Sequence, residues 1–156
     1  MRKGFALLPV AALVLVVACG QPSDRLSVAQ AQLDAHQQQW EAVGLIDYRF
    51  TFERSCFCPP EFSPRVAITV RNKAVASVHD AQTGNLLTNP PYSITISDLF
   101  ADIQEAIYKG SAKVSVEYDI KLGYPVDVYI DPVANAIDEE YFMKVRDFTE
   151  LPIGPQ

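Results

Sequence analysis

Histidine is scarce in this chain: His36 and His79 are the only two among 156 residues. No Gly-x-Ser-x-Gly elbow or paired nucleophile and base accompanies them, so a hydrolase built on an activated serine or cysteine has no footing here. Glycine-rich phosphate loops are missing too. Lys and Arg number 13 against 19 Asp and Glu, and an acidic surface repels phosphate backbones, which argues against nucleic acid as a partner. Past the N-terminal segment, no apolar run approaches the roughly 20 residues that a spanning helix needs. Cysteine is limited to Cys19, Cys56 and Cys58. The last two have no third ligand close by in sequence, so a closed zinc site is unsupported. The reading is therefore of a protein without metal, cofactor or catalytic residues, and not an enzyme.

What is present begins at the N-terminus. Met1, Arg2 and Lys3 open the chain with positive charge, and residues 4–17 are almost entirely apolar. That run is short for a membrane span and has the form of an export signal. It stops at Val16-Val17-Ala18-Cys19, followed by Gly20, which resembles the lipobox of bacterial lipoproteins. The resemblance implies cleavage before Cys19 and acylation of that cysteine, with palmitate among the chains it would carry. The expected organisation is a signal peptide at 1–18, a lipidated N-terminus and tether at 19–26, one domain at 27–150 and a tail at 151–156. Cleavage would leave 138 of the 156 residues. With Arg2 and Lys3 gone, 11 basic residues would face 19 acidic ones, a balance of −8. Membrane attachment would then come from the lipid, on the exported side of the envelope, because such a domain carries no basic patch. Gly20 stands where enteric-type bacteria place the aspartate that retains lipoproteins in the inner membrane, which leaves the outer membrane open. The polar stretch from Gly20 to Arg25 would reach about 20 Å at ~3.5 Å per residue.

Behind the tether, Ser27 and Gln30 have the spacing of a capping box and predict a first helix from Ser27 to Gly44. Leu26, Ala29, Leu33, Trp40 and Val43 form its thin apolar stripe. The period then drops to two. Ile46, Tyr48, Phe50 and Phe52 alternate with Asp47, Arg49, Thr51 and Glu53, predicting a strand; continued alternation would turn Cys56 and Cys58 to the side of the aromatics. Val66, Ile68 and Val70 predict a second strand. Asn72-Lys73 then forms a two-residue turn into a third, from Ala74 to about His79, where Val75 and Val78 can both face inward only across a bulge. Thr95 and Asp98 cap a second helix whose apolar face is Ile96, Leu99, Phe100, Ile103, Ala106 and Ile107, ended by Gly110. Three more strands follow, around Val114–Tyr118, Val126–Ile130 and Tyr141–Val145, with Gly123 the residue at positive φ in the turn between the first two. The expectation is an α+β fold of order α-β-β-β-α-β-β-β: one twisted, mainly antiparallel sheet with both helices packed on one face.

Two clusters carry chemical interest. Cys56 and Cys58 could form a tight disulfide, bind a soft metal ion, or sit reduced. In an oxidising compartment a bridge between them is the expectation, and it requires the backbone to bend at Phe57 because regular strand geometry holds i and i+2 side chains too far apart. Asp131, Asp138, Glu139 and Glu140 crowd one loop, but their spacing matches no EF-hand, and a solvated acidic turn is the expectation.

Tyr48 to Phe52, Ser55-Cys56-Phe57-Cys58-Pro59, Tyr118-Asp119 with Leu122-Gly123-Tyr124-Pro125, and Asp138-Glu139-Glu140 occur in that order behind Trp40. Together they resemble a family of bacterial lipoprotein domains of unknown function, marked by a C-F-C-P segment and a Y-D-x-x-x-G-Y-P turn, over about Trp40 to Phe148. The resemblance implies an exported lipoprotein domain and brings no activity or ligand with it. The reading that follows is a non-catalytic binding or interaction module, held to the membrane by its lipid, for an envelope protein or a small ligand. The alternative is thiol-redox or copper-handling chemistry at Cys56 and Cys58.

Overall fold

The computed structural model describes residues 22–56, 64–136 and 138–153. Its elements are α1 (Pro22–Val43), β1 (Tyr48–Cys56), β2 (Arg65–Arg71), β3 (Ala74–Asp80), α2 (Ile96–Tyr108), β4 (Lys113–Tyr118), β5 (Pro125–Asp131) and β6 (Tyr141–Glu150). The six strands form one antiparallel sheet in the order β3-β2-β1-β6-β5-β4. This is an α+β architecture.

The first helix starts earlier than its sequence pattern indicates. It already includes Pro22, where the fixed φ of proline suits a first helical turn. Ser27 is not its cap: the hydroxyl donates to the Asp24 carbonyl at 2.8 Å, a bond made from within the helix. Gln30 is drawn away from a capping role as well, because its amide pairs with that of Gln104 on α2 at 2.7 and 2.8 Å. Of the expected stripe only Leu33 and Trp40 are buried, while Val43 is 40% exposed. Gly44 ends the helix at φ +69°.

The strand pattern places Tyr48, Phe50 and Phe52 of β1 in the core beside Val66, Ile68 and Val70 of β2. Asn72 and Lys73 both take positive φ, 55° and 65°, the pair of values a type I′ hairpin requires. In β3 the parity conflict is resolved by a register shift opposite Thr69 and Val70, which leaves Ala76 as the extra residue. Thr95 and Asp98 close the expected capping box. The first amide of α2 donates to the Tyr48 hydroxyl at 3.2 Å, tying the helix start to β1.

Strand β6 runs five residues past Val145, through a bulge that has Asp147 at φ +52°. The extra residue turns Phe148 inward, where its ring stacks on Tyr124 at 4.5 Å and on Tyr48 at 5.4 Å. Asp147 accepts a hydrogen bond from the Thr51 hydroxyl.

Register divides the sheet into two ends. Tyr48, Tyr118, Pro125 and the Asn72-Lys73 turn lie at one, Cys56, Tyr141, Asp131 and Lys113 at the other. Trp40 near the C-terminus of α1 meets Tyr48 edge to face at 5.3 Å, while Gln30 in its N-terminal half meets Gln104 near the end of α2. The two helices are thus antiparallel, and the N-terminus of α1 points past the cysteine end of the sheet. Among the described residues no helix is long and apolar enough to cross a membrane.

Candidate functional site

The residues singled out by sequence do not converge on one site. Cys19 and Cys58 lie outside the described residues. Cys56 is exposed at the last position of β1, opposite Tyr141 of β6, and its sulfur is engaged rather than free. His36 stacks on Tyr118 at 4.0 Å, far from His79, which pairs with Ala67 in the sheet. Asp131 spends one oxygen on the Val133 amide within its own turn. No group of three His, Cys, Asp or Glu side chains among the described residues is arranged to hold a metal ion.

The Y-D-x-x-x-G-Y-P segment is a clamp between sheet and helix. One Asp119 oxygen accepts from the amides of Lys121 and Leu122, at 2.9 and 2.7 Å, and its backbone exchanges hydrogen bonds with Gly123 and Tyr124. The turn so formed sets the carbonyls of Ile120 and Lys121 against the side-chain amide of Gln39 on α1. Gly123 passes so close to α1 that a Cβ there would stand 2.8 Å from the His36 carbonyl oxygen. Tyr124 enters the aromatic cluster of Trp40 and Phe148. Tyr118, Gly123 and Tyr124 thus meet α1 directly, and Asp119 shapes the turn that holds them there.

Asp47 does the same work at the start of β1. It is buried, pairs with Arg71 at 3.0 Å, and accepts from the Asn72 amide at 2.8 Å, while its own carbonyl accepts from Leu151. It joins three parts of the chain that meet at the hairpin end.

A cleft with convergent charged groups lies at the other end, beside the C-terminus of α2. It encloses about 370 Å³ and is lined by Arg54, Asp102, Glu105, Lys109, Ser111 and Tyr141, with Ala106 and Pro132. Arg54 continues the inward parity of Phe50 and Phe52, but near the end of β1 it has run past the core and lies over the Tyr141 ring, 4.3 Å from its centroid. Stacking occupies the face of a guanidinium and leaves the N–H groups in its plane available. No acceptor among the described residues takes them. Asp102 stands opposite without closing an ion pair. Burial pushes its carboxyl up from the usual range, with the Arg54 charge pulling the other way and Glu105 and Asp98 adding to the rise. Glu105 and Lys109 pair with each other at 2.6 Å on the rim.

None of these residues was singled out as a site by the sequence. Two signals were present: an arginine on the buried parity of β1, and Asp102, Glu105 and Lys109 at i, i+3 and i+7 along α2 and its C-cap, beside the apolar stripe. Both read equally as ordinary solvated edges until the fold brings β1, β6 and α2 together. A cation, an anion and an aromatic ring line this open cleft, chemistry that matches a small ligand with a polar group at each end.

In comparison with known proteins, residues 32–150 fit the model of a family of unknown function, DUF6174. No curated protein and no solved structure matches the chain.

Proposed function

The chain belongs to that family of unknown function, and from that premise we propose that it is a lipid-anchored bacterial envelope protein whose domain is a non-catalytic binding module. The observation that carries the anchor is the apolar run that ends at Val16-Val17-Ala18-Cys19 behind Arg2 and Lys3. Acylation of Cys19 would hold the domain stably, since two or more acyl chains suffice where a single one gives only marginal attachment. The domain itself is acidic and offers no competing attraction to an anionic membrane surface. Both helices would cover one face of the sheet, since each meets Tyr48 and Tyr118. The cleft beside α2 is then the place for a small ligand. Cys19→Ala is expected to abolish metabolic palmitate labelling and to leave the protein uncleaved or soluble; label that survives in the variant overturns the anchor.

The exported setting also bears on the thiols. Cys56 and Cys58 would be oxidised to each other, because a partner two residues away has a far higher effective concentration than one in another molecule. The engaged sulfur of Cys56 supports this reading. A bridge across so small a loop adds little folding stability and instead fixes the chain where β1 ends. Intact mass before and after reduction, followed by alkylation, is expected to show no free thiol in unreduced protein. Two freely alkylated cysteines would favour instead the thiol-redox or copper-handling reading, which the exposure of Cys56 also fits.

A further inference from the structure

From the cleft between Arg54 and Asp102 we infer a binding site for a small zwitterion, with its anionic group on the Arg54 guanidinium and its ammonium on the Asp102 carboxylate. The inference deepens the binding-module reading and rests on it for the role of the cleft, though the cleft's chemistry stands independently of the lipid anchor.

Three features lead to this class of ligand. Arg54 is held by its face on Tyr141, so its position is fixed while its in-plane donors have no acceptor among the described residues. A planar fork of that kind matches the paired oxygens of a carboxylate or phosphate. Asp102 faces the same space, yet the two do not meet in an ion pair, which leaves a gap with opposite charges on its two sides. The second pair, Glu105 and Lys109, is already closed on itself. The cleft is therefore neutral overall but polarised. A simple anion would satisfy Arg54 and lie against Asp102; a simple cation would meet the reverse. A ligand with both charges satisfies both walls, and the 370 Å³ of the cleft holds a molecule of that size.

The position of the cleft adds a source. It opens at the cysteine end of the sheet, the end toward which the N-terminus of α1 points. Cys19 precedes Pro22, the first residue of α1, by three positions, so an acyl anchor there would hold this end of the domain nearest the bilayer. Zwitterionic headgroups that carry a phosphodiester and an ammonium are concentrated at such a surface, and the same group occurs free as glycerophosphoethanolamine.

The test uses the full chain, purified in detergent so that any acyl group stays solvated, and titrated by calorimetry. Glycerophosphoethanolamine is expected to bind saturably, and at least about tenfold more tightly than glycerol 3-phosphate or ethanolamine, each of which offers only one of the two charges. Arg54→Gln is expected to weaken binding about tenfold or more. Asp102→Asn is expected to bring the zwitterion down to the level of glycerol 3-phosphate. This variant should melt no lower than wild type, because burial already disfavours the Asp102 charge. Absence of saturable binding, equal affinity for glycerol 3-phosphate in the wild type, or undiminished binding by a folded Arg54→Gln protein each overturns the site. Should Arg54→Gln fail to fold, amide shifts in the wild type decide: perturbation centred on Lys109 and Ser111 supports the cleft, and perturbation elsewhere overturns it. Phosphatidylethanolamine vesicles that compete with the soluble probe, where phosphatidylglycerol vesicles do not, identify the bilayer as the source; binding of the soluble probe alone identifies a free zwitterion. Loss of palmitate labelling with retained calorimetric binding would remove the anchor and leave the site standing.

Discussion

Truncation of Trp40 to alanine is expected to destabilise the fold by about 3–5 kcal/mol, the range for loss of a large buried aromatic. The side chain is 5% exposed and meets Tyr48, Tyr124 and Phe148 edge to face, at 5.3, 6.2 and 5.9 Å. These partners come from β1, from the turn that precedes β5 and from β6 beyond its bulge. Because α1 buries only Leu33 and Trp40 among its described side chains, the tryptophan supplies much of what holds that helix to the sheet. Phe100, 1% exposed on α2, is expected to show a loss of the same order. Chemical denaturation of both variants is the measurement. A loss near zero for both would mean that the helices do not pack as described.

The second large effect is expected at Gly123. Alanine there is expected to cost about 2–5 kcal/mol, through two separate terms. A left-handed backbone, φ +82° here, penalises any Cβ by roughly 1–2 kcal/mol. Overpacking adds about 1–3 kcal/mol, because the new methyl would stand 2.8 Å from the His36 carbonyl oxygen, a backbone atom that moves only if α1 moves. Gly110 provides the comparison. It has a similar φ, +73°, with open space around it, so Gly110→Ala should show the conformational penalty alone. Equal losses in the two variants would show that the close approach of the turn to α1 contributes nothing.

Gly123 also illustrates how a turn can be visible in sequence and its purpose hidden. The Y-D-x-x-x-G-Y-P pattern announces a turn with a residue at positive φ, and local chemistry explains it: Asp119 accepts two amides ahead of it, and glycine takes the left-handed position. That the same glycine is also pinned against His36, more than 80 positions earlier in the chain, depends on how α1 crosses the hairpin.

Much of the secondary structure was legible because it rests on short-range rules. The capping box of Thr95 and Asp98, the aromatic alternation of β1 and the Asn72-Lys73 turn each involve a few neighbouring residues whose side chains satisfy or bias the local backbone. The parity conflict in β3 was legible as well, since Val75 and Val78 cannot share a face without a bulge, but the register of that strand stayed open until its pairing with β2 fixed it. The bulge in β6 was not legible. Arg146-Asp147 reads as the end of an alternating strand, and only the pairing with Thr51 and the inward seat of Phe148 reveal that the strand continues. The start of α1 was misplaced for a related reason. Ser27 and Gln30 have capping spacing, but Gln104 from the second helix offers Gln30 a better partner, and nothing within a few residues of Gln30 signals it.

By itself, then, the sequence determined the α+β class and most of the residues that fill the core, because hydrophobic period, caps and turn residues act within one or two turns of chain. Tertiary structure decided which of the remaining polar residues face one another. Arg54, Asp102 and Tyr141 are separated by dozens of positions and belong to three elements, so their cleft exists only once β1 pairs with β6 and the C-terminal half of α2 comes beside their ends. A strand residue that overruns the core and a helix residue beside the apolar stripe look alike in any surface pattern. Their distinction arises from packing, which lays Arg54 on the Tyr141 ring and brings the Asp102 carboxyl to the same cleft, and that arrangement is a property of the packed molecule.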